Sequence, residues 1–128
     1  LDWSPVGVAK AQRLAAARGV RVNALVADAA AWDYPAASFD LAAWIYLHLA
    51  PADRAAAARG VQRALVPGGL LMIECFSPAQ TGRHSGGPKD PALLWTRATV
   101  EDLFGAMEVL ELLEGTVMLD EGPRHQGP

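Results

Sequence analysis

The sequence predicts an α/β fold built on a mainly parallel sheet within a single domain. Three observations lead there. Strand-like apolar runs at Val20–Ala27, Leu41–Leu47 and Leu70–Phe76 are separated by helical patterns, the arrangement of βαβ units. Leu41 to Leu47 has no charged residue and is rich in Trp, Ile and Tyr, so it reads as a strand buried on both faces. Acidic residues mark the strand ends: Asp2 and Asp28 close two of them, and Asp40 opens a third.

At 128 residues, 52% of them apolar, the chain has material for one core and no disordered composition. The net charge of −3 and the lack of a Lys/Arg cluster argue against nucleic-acid or anionic-membrane partners. Cys75 is the only cysteine, which fits a reducing cytoplasm, and no metal site is expected. No apolar run approaches the ~18 residues of a membrane span. The opening Leu-Asp-Trp-Ser-Pro is neither a leader nor a translation start, so the chain reads as a partial domain, residues 1–128.

In order along the chain, Leu1–Trp3 reads as the end of a strand. Ser4 is an N-cap, Pro5 takes the first helical position, and Gly19 stops the helix after Arg18. Val8, Ala11, Leu14 and Ala15 form its apolar face. Val20–Ala27 is expected to be a strand, and Ala29–Ser38 a loop. After the central strand, a helix is expected from Pro51 through Leu65 despite Gly60. Pro67-Gly68-Gly69 reads as a turn, followed by a buried strand over Leu70–Phe76. Ser77–Pro91 is a long irregular segment, the kind that forms a functional lid or is disordered. A short helix is expected at Thr99–Phe104, with Thr99 and Asp102 at capping-box spacing, and a strand over Met107–Leu119 before a Gly/Pro tail.

An acid at the carboxyl end of a strand, just before a helix, is placed to accept ribose hydroxyls. On that pattern the chain resembles the class I S-adenosylmethionine-dependent methyltransferases over nearly its whole length. The resemblance rests on Leu1-Asp2-Trp3-Ser4-Pro5, Ala27-Asp28-Ala29, Ser38-Phe39-Asp40-Leu41 and Leu65-Val66-Pro67-Gly68-Gly69-Leu70-Leu71, in the family's order. It implies a Rossmann-like sheet that is incomplete, holding the family's third to sixth strands and lacking its first strand, the glycine-rich loop and the last strand. It also implies S-adenosylmethionine as cofactor, with Asp2 on ribose, Trp3 against adenine, and Asp28 with the Ala29 amide on the adenine edge. Ile45 to Leu49 and Ser85 to Pro91 are similar to the tellurite-resistance and thiol methyltransferase branch, which implies a small-molecule acceptor: a thiol, chalcogen oxyanion or hydroxyl.

Methyl transfer from a sulfonium mainly needs alignment and exclusion of water. Trp44, Ile45 and Tyr46 are expected near the sulfonium, where an aromatic face stabilises a cation, although Trp44 has an equal claim to the opposite layer. His48 is a candidate base and Tyr46 its companion on the acceptor side; a capping role is the competing reading of His48. Arg83, His84 and Lys89, or Arg124 and His125, could hold an anionic acceptor, with solvated loops as the alternative. Cys75 reads as a small core residue. Two rival functions stand beside this one: a nicotinamide-dependent dehydrogenase, and a non-catalytic piece of the fold acting as a partner subunit or scaffold. The missing first strand further implies an open strand edge, covered by another chain, by a homo-oligomer or strand-swapped dimer, or by a longer molecule.

Overall fold

Residues 1–120, 122, 126 and 127 are described by the computed structural model. Helix α1 (Pro5–Ala17) starts as its sequence dictates: Ser4 Oγ accepts the Gly7 amide at 3.1 Å and Pro5 occupies the first turn. Gly19, at φ 64°, takes the left-handed position that ends it. Only Val8 and Ala15 of the expected face are buried; Leu14 stays 53% exposed.

Val20–Ala27 does not form the expected strand. A strand exists only through a partner, and among the described residues this segment's pairing is limited to one bridge. Asp2 and Val26 make a single parallel bridge, with Asp2 N donating to Leu25 O and Ala27 N to Asp2 O, both at 3.0 Å.

The organised part is a βαβα unit. Strand β1 (Phe39–Ile45) pairs in parallel with β2 (Leu65–Glu74), and helix α2 (Pro51–Ala64) is the crossover. Strand β2 begins earlier than expected. Pro67-Gly68-Gly69 is not a turn ahead of the strand but a bulge within it, since Phe39 pairs with Leu65 and Leu41 already with Leu70. Gly68, at φ 79°, makes that excursion possible.

Strand β1 is not buried on both faces. Trp44, 3% exposed, shares one face of the sheet with Ala42, Leu71 and Ile73, and that face meets α2 and α3 (Arg97–Phe104). Leu41, Ile45, Leu70 and Met72, which alternate with them, remain exposed because no described helix covers their side. The core is Trp44, Ala57, Ala58, Trp95 and Phe104, with Trp44 edge-on to Trp95 at 5.3 Å and to Phe104 at 6.4 Å.

Helix α3 begins nearly one turn earlier than its capping-box reading. Thr96, not Thr99, is the N-cap, its Oγ1 accepting the Thr99 amide at 3.1 Å. The strand expected over Met107–Leu119 is absent apart from its last residue. Leu119–Asp120 (β3) pairs antiparallel with Gln126–Gly127 (β4), while Val109, Leu110 and Leu113 are exposed and unpaired in any ladder. Arg124 and His125 lie outside the described residues. Among the described residues, no ladder joins the Asp2–Val26 bridge to β1–β2. None of the described helices is long and apolar enough to cross a membrane.

Candidate functional site

The parallel bridge brings Asp2 and Asp28 to the same end of adjacent chain segments. Each uses its Oδ1 to hold the backbone that follows: Asp2 accepts the Ser4 amide at 2.8 Å, and Asp28 the Ala30 amide at 2.9 Å. Both acids are exposed, and Trp3 beside them is 77% exposed. Asp40, exposed near the amino end of β1, belongs to the opposite end of the strands.

Ala29 is partly buried against the core, and its carbonyl accepts the Tyr34 hydroxyl at 2.9 Å. Tyr34 was not singled out by the sequence. Its ring lies on the backbone of Gly60, where an added Cβ would collide with it, and it stands edge-on to Trp32 at 4.6 Å. Burial pushes the Tyr34 hydroxyl pKa up, and the Asp28 charge adds to that. The available signal was Gly60: a glycine mid-helix costs stability unless something needs its flat surface.

A second group gathers at the carboxyl ends of β1 and β2. Tyr46 has φ 49°, a left-handed conformation rare outside glycine, at the residue just after β1. Its amide donates to Glu74 O at 2.8 Å, and its hydroxyl to Glu74 Oε1 at 2.7 Å. Phe76, also not singled out, lies between the two candidates, stacked with Tyr46 at 5.0 Å and with His48 at 5.7 Å. Gly87, at φ 80°, brings the 77–91 segment against the Phe76 ring, where a side chain would clash.

His48 Nδ1 lies 3.0 Å from the Leu93 carbonyl. A carbonyl only accepts, so Nδ1 carries the proton. Its Nε2 is buried with no protein partner among the described residues. Burial lowers the His48 pKa; the Leu93 carbonyl opposes this, and the Arg54 charge adds to it. Arg54 itself is 4% exposed and donates to the carbonyls of Ala92 at 2.7 Å, Leu49 at 3.1 Å and Leu94 at 3.5 Å, with its guanidinium 4.9 Å from the Trp95 ring centre.

The remaining candidates fall elsewhere. The Trp44 indole is in the core beneath α2 and α3, Nε1 donating to Leu47 O at 2.7 Å, so it takes the opposite layer and not the expected place beside a sulfonium. Ile45 is 43% exposed on the other face. Arg83 is held by Ala79 O and Thr116 Oγ1, both at 3.1 Å, while His84 and Lys89 are exposed. Burial pushes the Cys75 thiol up to about 12, outweighing the nearby Arg54 charge, so it is a protonated, unreactive group. No cluster of potential metal ligands occurs among the described residues. A groove of about 230 Å³ borders Asp2 along Leu1, Gly7, Val8 and Val22, but neither it nor the about 460 Å³ groove beside α1 reaches Tyr46 or His48. Those grooves follow from the uncovered surface around α1.

Acids at the ends of parallel segments, each leading into a turn or helix, define a protein of the Rossmann-like α/β class. The chain belongs to the methyltransferase domain family, which matches residues 1–69. Demethylmenaquinone methyltransferase of Thermus thermophilus is 37% identical over 81 residues, 63% of this chain and 37% of that protein. The chain therefore spans little more than a third of that relative's length. Solved structures share the fold, among them the two that follow. The PH0226 protein of Pyrococcus horikoshii aligns with a TM-score of 0.65 at 19% identity, covering 82% of this chain and 59% of the other. The [4+2]-cyclase SpnF aligns with a TM-score of 0.62 at 28% identity, covering 80% of this chain and 38% of the cyclase.

Proposed function

We propose that this chain contributes the adenosine-binding and acceptor-facing parts of an S-adenosylmethionine-dependent methyltransferase acting on a small molecule. The observation that carries the reading is the pairing of Asp2 and Asp28 at one end of parallel segments, in a chain of this family. The donor set fits an adenosine: each acid turns only Oδ1 to its own backbone, and Trp3 offers an exposed ring. Asp2 would accept from ribose, Trp3 would lie on adenine, and Asp28 with the Ala29 amide would read its edge; Ile45 lines the sulfonium side. Bound there, the cofactor supplies an electrophilic methyl group on a sulfonium. His48 Nε2 then takes a proton from the acceptor, while Tyr46 and Phe76 shield the site from water. Such a base suits a thiol or hydroxyl acceptor, with a chalcogen oxyanion needing only the shielding. The relative's name points to demethylmenaquinone as another class of acceptor.

Calorimetry with S-adenosylhomocysteine tests this. Asp2→Ala and Asp28→Ala should each weaken binding by ~1–3 kcal/mol, the cost of losing a charged hydrogen-bond partner. Unchanged affinity in both variants, or a preference for NAD, would sink the assignment. A second reading is a non-catalytic partner subunit or scaffold. The cyclase neighbour bears on it only in that this fold is not confined to methyl transfer. Binding without transfer to any thiol or hydroxyl acceptor would select it.

Assembly belongs to the same proposal. Strand β1 pairs with β2 alone among the described residues, and the free edge is flanked by exposed Leu41 and Ile45. Unpaired backbone groups along such an edge are a template for another strand. That strand comes from a further segment or from a second copy in a homo-oligomer or swapped dimer. The single, unreactive Cys75 suits the cytoplasm as its compartment.

A further inference from the structure

The segment after the 77–91 loop is held by an unusual device. Pro91–Leu93 forms one 3₁₀ turn, started by Asp90, whose Oδ1 accepts the Ala92 amide at 2.9 Å. Three successive carbonyls then point back toward the start of α2. Those of Ala92 and Leu94 accept from Arg54, and the one between them, on Leu93, accepts from His48 Nδ1. Arg54 also holds the Leu49 carbonyl, the residue after His48. One buried guanidinium therefore grips the backbone on both sides of the His48–Leu93 contact.

Among the described residues Arg54 has no carboxylate partner. Its guanidinium lies over the face of Trp95, and its Nε is without a protein partner among the described residues. Burying an arginine against carbonyls alone is expensive, and apolar residues would fill the space at lower cost. A fork of N–H donors does what an apolar residue cannot: it fixes several carbonyls at once in one plane.

We propose that Arg54 is a positioning residue: by fixing the carbonyls of Leu49, Ala92 and Leu94 it keeps the Leu93 carbonyl on His48 Nδ1, and so leaves Nε2 as the unprotonated nitrogen of the ring. This rests on the reading of His48 as the base, because only Nε2 is left to accept a proton. The hydrogen bond made by one ring nitrogen sets the tautomer of the other. Arg54 touches neither acceptor nor cofactor in this role.

The test is ring-nitrogen NMR of the chain labelled with ¹⁵N-histidine, at about pH 8 where imidazole is neutral. His48→Gln assigns the signal. The wild type should show the Nδ1–H tautomer as the dominant form. Arg54→Met should shift the population toward Nε2–H by at least severalfold. Because that variant loses a buried set of hydrogen bonds on which folding depends, Arg54→Lys is read beside it. Lysine keeps the stem and charge but not the planar fork, and should give a mixed population in a folded chain. A wild-type ring dominated by Nε2–H overturns the proposal, and so does a folded Arg54→Lys with the wild-type ratio. These readouts do not use activity. Full methyl transfer by His48→Gln would remove the base reading and leave the tautomer result standing.

Discussion

Residues 1–35 and the β1–α2–β2–α3 unit are built from similar apolar material and end in different states. In the second region Trp44, Ala57, Ala58, Trp95 and Phe104 close into one core. In the first, Trp3, Val6, Leu14, Val20 and Val22 are all more than half exposed. The difference is not hydrophobicity. The βαβα unit carries its own partners within 66 residues, 39 to 104, whereas among the described residues the 20–27 segment pairs through the Asp2–Val26 bridge alone. Apolar surface stabilises only where a second layer removes it from water. The two regions touch through Tyr34 on Gly60 and Ala29 against the core, and in the link between them the Ala37 and Ser38 amides donate to Arg63 O and Ala64 O at 2.9 and 2.8 Å.

The sharpest way to break the contrast is one truncation in each region. Trp44→Ala should cost ~3–5 kcal/mol in urea unfolding, enough to unfold a small domain of marginal stability. Leu14→Ala should fall within about 0.5 kcal/mol of the parent. Comparable losses would mean that α1 is packed in solution against something absent from this arrangement.

The junction is tested next. Gly60→Ala drives a methyl into the Tyr34 ring and should cost ~1–3 kcal/mol, more than the ~1 kcal/mol that alanine gains in a helix. Combined with Tyr34→Ala, the loss should shrink. A double-mutant cycle without coupling would show that the ring does not sit there.

The helix caps separate the regions by a smaller effect. Thr96→Ala should lower global stability by about 1 kcal/mol, because α3 unfolds with the core. Ser4→Ala removes an equivalent bond from α1, and should appear as faster amide exchange in α1 with a smaller change in the global transition. Equal shifts in both would make the chain one cooperative unit.

The weakest expected effect is that of pH. His48 has a lowered pKa in the folded chain, so below about 6.5 the unfolded imidazole binds protons that the folded one does not. Stability should therefore rise with pH up to that value and fall as pH drops beneath it. His48→Gln should flatten this part of the profile. An unchanged slope in the variant would assign the dependence to other groups.

Much of this was legible in the residues themselves. Local chemistry determined α1 with its Ser4 cap and Gly19 stop, and the Pro51 start of α2. Each depends on neighbours a few residues away, through capping, fixed φ or periodicity. What needed the tertiary structure was everything set by a distant partner. Val20–Ala27 and Met107–Leu119 have strand composition but acquire no extended ladder, since pairing comes from another segment. Trp44 faces the helices because strand alternation and the positions of α2 and α3 leave it no other side. Phe76 joins Tyr46 and His48 across about 30 residues, and Arg54 meets Ala92 and Leu94 across about 40, separations that no local pattern encodes.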